Sequence, residues 1–305
     1  MPPPEFPMID GLLRDQSMAR YTAARLGGPA DYLYIARQPD YDDAISLLVE
    51  AWRRDMPVTV IGGGANVLVA DAGIRGLTIV NRATDIQQAG AGMSARLQAS
   101  SGTSLIRLAR YCQENALTGM EWAIAVPGTL GGAAVNNAGA HGGDIASTLT
   151  RLQVYEADGG RRWFDAAALQ YAYRYSELKY RRDRRFFVMR AELELQRDDA
   201  ARIQHRMDHN NEYRRRTQPP GASLGSIFKN PPGDYAGRLI EAAGLKGARK
   251  GAVQVSPLHA NFFVNLSAEA SASDYYALIQ QVRQSVRDRF GVALELEIQM
   301  LGAWR

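Results

Sequence analysis

Residues 58–70 read VTVIGGGANVLVA, two short apolar, β-prone runs with Gly62, Gly63 and Gly64 between them. Without a Cβ, each of these glycines lets backbone N–H groups turn toward a bound anion at close range. A dinucleotide fingerprint or a P-loop would be followed at once by a helix whose N-terminus faces the phosphates. Here Val67, Leu68 and Val69 read as strand, and Asp71-Ala72-Gly73 reads as a turn. The stretch is therefore strand–loop–strand, and neither the Rossmann nor the Walker arrangement fits it. Taken alone, it is equally well a glycine-rich hairpin connection.

Working outward, residues 30–36 (ADYLYIA) read as a strand and residues 77–80 as another, after a Pro-rich tail. Asp40 can cap a helix whose Ala44, Leu47, Leu48 and Ala51 share one apolar face. These pieces make a small α/β unit, residues 1–80. A second unit, residues 81–216, opens with a strand at 95–101. Thr103 or Ser104 then caps a helix over 105–116, with Leu105, Leu108, Ala109 and Cys112 inward. Residues 120–144, MEWAIAVPGTLGGAAVNNAGAHGGD, carry six glycines and almost no charge. That composition reads as a flexible loop or, because small residues admit a flat object against the backbone, as a ligand wall. A hairpin follows over 152–164, and residues 171–180, YAYRYSELKY, read as a half-buried strand edge. A strand over 186–195 and a polar helix over 199–216 complete the unit. Thr217-Gln218-Pro219-Pro220 breaks that helix and opens a third unit, residues 217–305. In it a helix over 235–243 is ended by Gly244, residues 262–264 form a strand, and 273–290 a helix. Residues 292–301 read as a closing strand. By its two-residue period Glu295 and Glu297 share one face, ordinarily the solvent side.

The 305 residues carry 46% hydrophobic and 22% charged side chains, an ordinary globular composition. A net charge of +4 suits an anionic small molecule as well as a nucleic acid and does not decide between them. The single cysteine, Cys112, excludes an internal disulfide and a cysteine-rich metal site, and no metal is expected. The N-terminal residues lack the pattern of a signal peptide, and no apolar run is long enough to span a membrane. A cytoplasmic protein with no membrane partner is expected.

Six stretches then occur in a telling order: VIGGGANVLVAD, GMEWAIAVPGTLGGAAVNNAGAHG, YAYRYSELK, GSIFKNPPGDYAGRLIEAAGLKG, SPLHANFFVN and FGVALELEIQMLG. As a set they resemble the UDP-N-acetylenolpyruvoylglucosamine reductase family, flavoenzymes of bacterial peptidoglycan precursor synthesis. The likeness runs from about Thr22 to Gly302, and the short third unit resembles the family's compact second type. The resemblance implies an α+β fold: a two-part FAD-binding region of the vanillyl-alcohol oxidase (PCMH) type plus a C-terminal α+β substrate-binding domain. It implies that Gly62, Gly63, Gly64, Ala65, Asn66 and Val67 hold the FAD pyrophosphate. It places Pro127, Gly128, Thr129, Gly131, Gly132, Ala133, Asn136, Ala138 and Gly139 along the isoalloxazine. With no histidine in the glycine loop, FAD is expected to be bound non-covalently.

The implied reaction reduces an enolpyruvyl ether to a lactyl ether, with NADPH as co-substrate and a UDP-sugar as substrate. By motif match Arg174 clamps the substrate carboxylate, Ser226 donates the proton and Glu297 assists at the carboxylate. Near an anionic substrate Glu297 has to be protonated, as buried carboxyls can be. Lys229 and Asn230 are placed for the UDP moiety and Arg214 for an anionic group, while His259 reads as structural. Tyr21-Thr22 stands where relatives often carry Asn-Thr. A monomer is expected. Two other readings stay open: an FAD-dependent oxidase or dehydrogenase of a sugar or alcohol on the same fold, and a non-enzymatic nucleotide- or RNA-binding protein. No aromatic–basic repeat of the RNA-recognition kind supports the latter.

Overall fold

The computed structural model describes residue 6, residues 9–90 and residues 92–304. Most of the Pro-rich start of the chain lies outside the described residues. The first sheet is built from β1 (Leu13–Ser17), β2 (Pro29–Ala36), β3 (Val58–Ile61) and β5 (Ile74–Asn81), with β4 (Val67–Val69) standing apart. Its order is β1-β2-β5-β3, parallel except for the edge pair β1-β2. The parallel pairing requires a crossover, and α1 (Asp42–Arg53) helps supply it by burying Ala44, Leu47, Leu48 and Ala51. Asp40 is not the cap residue of this helix. Tyr41 occupies that position in the left-handed region (φ 63°), and Asp40 Oδ1 accepts the Asp42 N–H at 3.4 Å.

The second sheet is antiparallel, β12-β11-β13-β7-β6, with β8 paired to the end of β13. Its strands are β6 (Ile86–Ala89), β7 (Ser94–Ser100), β8 (Leu117–Thr118), β11 (Leu149–Glu156), β12 (Gly160–Asp165) and β13 (Phe186–Arg197). Against it pack α2 (Leu105–Glu114), whose N-terminal amide at Arg107 is taken by Ser104, and α5 (Ala200–Thr217), capped by Asp199. Cys112 lies in the core between them, and burial pushes its thiol up to about 12, far from reactivity at neutral pH. The glycine-rich segment is more ordered than a loop. It contains the short helix α3 (Leu130–Asn136) and a two-stranded ribbon of β9 (Gly139–Ala140) and β10 (Gly143–Asp144). A Cβ on Gly131 would stand 2.8 Å from Ser101 Cβ, so the glycine lets α3 lie directly on the chain leaving β7. The run YAYRYSELKY is not a strand edge either. It is a tight turn closed by an Ala172–Tyr175 bridge, with Arg174 at φ 55°, leading into α4 (Glu177–Tyr180).

The third sheet, β14-β17-β16-β15, is antiparallel: β14 (Ala222–Ser226), β15 (Arg249–Lys250), β16 (Val253–Val255) and β17 (Phe262–Asn265). Two helices, α6 (Ala236–Ala242) and α7 (Ala272–Phe290), pack over it around Phe263, Tyr275, Ile279 and Val282. Gly244 follows α6 at φ 78°, the left-handed position that ends a helix. The closing strand is much shorter than the sequence suggests: only β18 (Gln299–Leu301) is strand, and residues 292–298 run irregularly with one bridge, Phe228–Leu296.

β18 does not join the third sheet. It pairs in parallel with β4, matching Gln299, Met300 and Leu301 to Val67, Leu68 and Val69. Leu26 and Leu68 from the start of the chain are accordingly buried in one cluster with Leu294 and Ile298. Asp71, just past β4, secures the same junction. Its carboxylate accepts the Ala272 and Ser273 amides, both at 2.8 Å, and the Ser273 hydroxyl at 2.6 Å, at the orphan first turn of α7. Burial would raise its pKa, but these hydrogen bonds outweigh that and hold it below the ordinary carboxylate value.

Replacing Asp71 by Ala is expected to cost about 1–2 kcal/mol at pH 7, by analogy with lost helix caps. Because the folded-state value is depressed, the contribution is present above about pH 4 and is lost as the pH falls through that depressed value. Denaturant titrations of wild type and variant from pH 7 downward should therefore show the difference shrinking below about pH 4 and vanishing only once the pH is under the depressed value.

Candidate active site

Between the glycine loop and the third sheet lies a cleft of about 490 Å³, within the range of small-molecule and cofactor sites. Gly62, Gly63, Gly64, Ala65, Asn66 and Val67 line one wall. Pro127, Gly128, Thr129, Gly131, Gly132, Ala133, Asn136, Ala138 and Gly139 line another. The two walls touch. A Cβ on Gly62 would fall 2.1 Å from Thr129 Oγ1, and one on Gly63 would fall 2.8 Å from Gly128 Cα. Gly64, at φ +66°, would drive a Cβ to 2.0 Å from the Tyr21 carbonyl oxygen. Thr22, beside it, is buried with its hydroxyl on the Leu26 carbonyl, so Tyr21-Thr22 supports the loop from behind.

Among the described residues, the backbone N–H groups of Gly63, Gly64, Ala65 and Asn66 donate to no protein acceptor. Consecutive free amides at a tight, glycine-rich bend form an anion nest suited to a diphosphate. The cleft's cations agree with this: Arg174, Lys179, Arg184 and Arg214 line it, and Glu297 is the carboxylate among them. The small residues of the second wall leave room for a planar ring. No histidine or cysteine lines the cleft among the described residues. The donor set and the shape fit a flavin dinucleotide.

Arg174, Glu297 and Ser226 all reach this cleft. Arg174 Nε donates to Glu297 Oε1 at 2.6 Å, and its terminal nitrogens donate to the Asn137 and Gly139 carbonyls at 3.2 and 3.0 Å. Lys179 Nζ donates to the Arg174 carbonyl at 3.1 Å. Burial raises the Glu297 pKa, opposed by Arg174 and, more weakly, by Lys179 and Lys229. Burial likewise lowers that of Lys179, helped by the neighbouring Lys229 and Arg174. The two glutamates of the last segment therefore part company: Glu295 is exposed and pairs with Lys229 at 3.0 Å, whereas Glu297 faces inward. Because residues 292–298 are not a strand, the two-residue period does not govern them.

The main chain of Glu297 is held from both sides. Its N–H donates to the Ile227 carbonyl at 2.8 Å, and its carbonyl accepts the Asn66 side-chain amide at 3.2 Å. Ser226, ending β14 after Gly225 at φ 72°, sits next to that contact, and its hydroxyl has no protein partner among the described residues.

Of the residues expected to meet a UDP-sugar, Arg214 lines the cleft. Burial lowers its pKa, and no side-chain acceptor or carboxylate engages it among the described residues. Lys229 and Asn230 lie outside the cleft lining. Lys229 Nζ is occupied by Glu295 and the Tyr180 hydroxyl, and Asn230 Oδ1 accepts the Ala236 amide at 3.1 Å at the start of α6. Sequence reasoning passed over Lys179, Arg184 and Gln299, which do line the cleft. Lys179 stood in the quoted run YAYRYSELKY and was the available signal.

Residues 217–301 match the family profile described as the C-terminal domain of UDP-N-acetylenolpyruvoylglucosamine reductase, and residues 33–165 match an FAD-binding domain. The chain is 45% identical over 295 residues to a UDP-N-acetylenolpyruvoylglucosamine reductase of Anaeromyxobacter dehalogenans, covering 95% of this chain and 85% of that one. It belongs to the UDP-N-acetylenolpyruvoylglucosamine reductase family. A Lactococcus lactis relative of the same name is 39% identical, covering 94% of each chain. The crystal structure of the reductase from Thermus caldophilus superposes with a TM-score of 0.78 at 31% identity, covering 95% of this chain and 98% of that one. With the family come the fold class, FAD-binding region plus C-terminal α+β domain, and the broad activity: the protein is an FAD-containing oxidoreductase.

Gly64→Ala should abolish flavin retention through purification. It forces a left-handed residue and a backbone clash, and strain of this kind costs about 1–3 kcal/mol. The flavin-to-protein absorbance ratio and a melting curve check both effects.

Proposed function

We propose that the protein reduces UDP-N-acetylglucosamine enolpyruvate to UDP-N-acetylmuramate with NADPH as electron donor, a step of peptidoglycan precursor synthesis. The observation that carries this reading beyond its family's flavin chemistry is that an arginine, the largely buried glutamate it pairs with and an unpartnered serine hydroxyl line the same cleft. In this reading residues 1–80 and 81–216 form the cofactor region and residues 217–305 the substrate domain of a cytoplasmic monomer. No described helix is long and apolar enough to cross a membrane.

The free amides from Gly63 to Asn66 would hold the FAD diphosphate, and the wall from Pro127 to Gly139 its ring, without a covalent tether. Bound there, FAD supplies hydride transfer from a nicotinamide to an activated carbon. The protein's side chains do the rest. Arg174 orients the substrate carboxylate through its planar fork of donors, which a lysine would do less well. Glu297, biased by burial toward its neutral form, can donate a hydrogen bond to that carboxylate as negative charge develops on it. Ser226 delivers a proton to the carbon bearing the carboxylate. A serine hydroxyl is a weak acid, so the acceptor must be a strong base such as an enolate. Arg214, half-buried without an anion of its own, suits the diphosphate of the UDP-sugar, since an unpaired, partly desolvated cation is costly until an anion arrives. Lys229 can join it only by leaving Glu295, and the Asn230 oxygen is already committed to α6.

Ser226→Ala should leave oxidation of NADPH by the bound flavin within a few-fold of wild type. It should slow reoxidation of the reduced enzyme by the enolpyruvyl sugar by about 10²–10⁴, the usual worth of a positioned proton donor. Stopped-flow traces at the flavin band separate the two half-reactions. Equal losses in both would refute the assignment, and a purified protein that takes up no FAD would refute the whole reading.

A further inference from the structure

The Arg174 guanidinium is already engaged on every nitrogen. Glu297 takes Nε, and the Asn137 and Gly139 carbonyls take the two terminal nitrogens. A carboxylate binds a guanidinium bidentately either side-on, through Nε and one terminal nitrogen, or end-on, through both terminal nitrogens. Both approaches are therefore contested, but not equally. The end-on competitors are main-chain carbonyls. One belongs to the left-handed residue Asn137, whose side chain is tied to the Ala172 carbonyl, and the other to the β9-β10 ribbon. The side-on competitor at Nε is a side chain, which rotation about its own bonds can remove, and each terminal nitrogen carries a second N–H beyond the one given to a carbonyl. Arg174 itself is less free to move, because its carbonyl is held by Lys179 and its backbone sits at φ 55°.

We propose that the substrate carboxylate enters by exchange, displacing the Glu297 side chain from Arg174 Nε, and that the displaced Glu297 takes up one proton from solution. This rests on the reductase reading given above. The charged groups facing Glu297 are Arg174 and Lys179 from the turn and α4, and Lys229 from the chain after β14. Lys229 is already paired with Glu295, and Lys179 is spent on a carbonyl. After exchange one guanidinium faces two carboxylates in a buried site, an arrangement that keeps a single negative charge. Burial already favours the neutral acid, and Arg174 is the strongest of the groups opposing it, so its loss moves Glu297 further the same way. The proton gained makes Glu297 an O–H donor beside the very carboxylate that displaced it.

The test is calorimetric titration of the FAD-loaded protein with UDP-N-acetylmuramate, which bears the carboxylate but no vinyl group. It is run at one pH in two buffers of different ionisation heat, with UDP-N-acetylglucosamine as the carboxylate-free control. About one proton should be taken up per UDP-N-acetylmuramate bound, in excess of the control. The sign is fixed: binding raises the Glu297 pKa, so affinity should weaken as pH rises, by up to about tenfold per pH unit between its free and bound values. Glu297→Gln should bind UDP-N-acetylmuramate with no excess uptake and no such slope. Tight binding of UDP-N-acetylmuramate without excess uptake would overturn the exchange while leaving the reductase reading intact. Excess uptake that survives in Glu297→Gln would overturn it too. Failure of both nucleotides to bind would remove the reductase reading and the exchange with it.

Discussion

The cleft depends on a three-residue parallel ladder between β4 and β18, the strand after the glycine loop and the last strand of the chain. Parallel neighbours need a long connection, and here it is the whole of the second and third sheets. The ladder sets the position of everything just before it. The Gln299 amide donates to the Asn66 carbonyl at 2.9 Å, the Asn66 side chain reaches back to the Glu297 carbonyl, and the Glu297 amide bonds to Ile227. A carboxylate is thereby placed between the anion nest and the serine by main-chain contacts, on a segment that has no regular structure of its own. Asp71 repeats the connection one turn later by holding the start of α7.

Charge in the cleft follows a simple rule of compensation. Arg174 and Glu297 compensate each other, Lys179 rests on a carbonyl, and Arg184 also turns to carbonyls at residues 178 and 179. Arg214 alone of the lining cations has no acceptor among the described residues. Arg174 and Glu297 are thus internally balanced, whereas Arg214 is the uncompensated cation of the cleft among the described residues. Long-range attraction for an anion acts at such an uncompensated charge.

Where the sequence was legible, one local rule dominated. The apolar faces of α1 and α2 could be read from helical period, and of the two cap candidates Thr103 and Ser104 the structure uses Ser104. Gly62 to Gly64 announced a bend without a following helix, and the structure has that bend. The failures came where tertiary contact overrode the local rule. Glycines at 131 and 132 argued against a helix at α3, yet Gly131 is required there because Ser101 leaves no space for a Cβ. Residues 292–298 look like a strand by pattern, but the main-chain groups around Glu297 are claimed by Ile227 and Asn66 rather than by a sheet neighbour. The turn at Arg174 was hidden by its own composition, since a non-glycine left-handed residue leaves no mark in a run of tyrosines. The proposed catalytic set was suggested only by the resemblance of six motifs, because Arg174, Ser226 and Glu297 come from three distant parts of the chain.

The ladder also has a consequence for how the protein is made. During synthesis the glycine loop emerges more than 200 residues before Gln299, Met300 and Leu301, which complete it. The first sheet can pair β2, β3 and β5 early, because α1 and its neighbours lie within its own stretch of chain. The glycine loop cannot gain its β18 contacts until residues 299–301 have been made, and contacts this distant in sequence are the slow ones to form. A nascent chain therefore has a folded scaffold well before it has a competent cofactor pocket, and flavin capture becomes a report that the last strand has arrived.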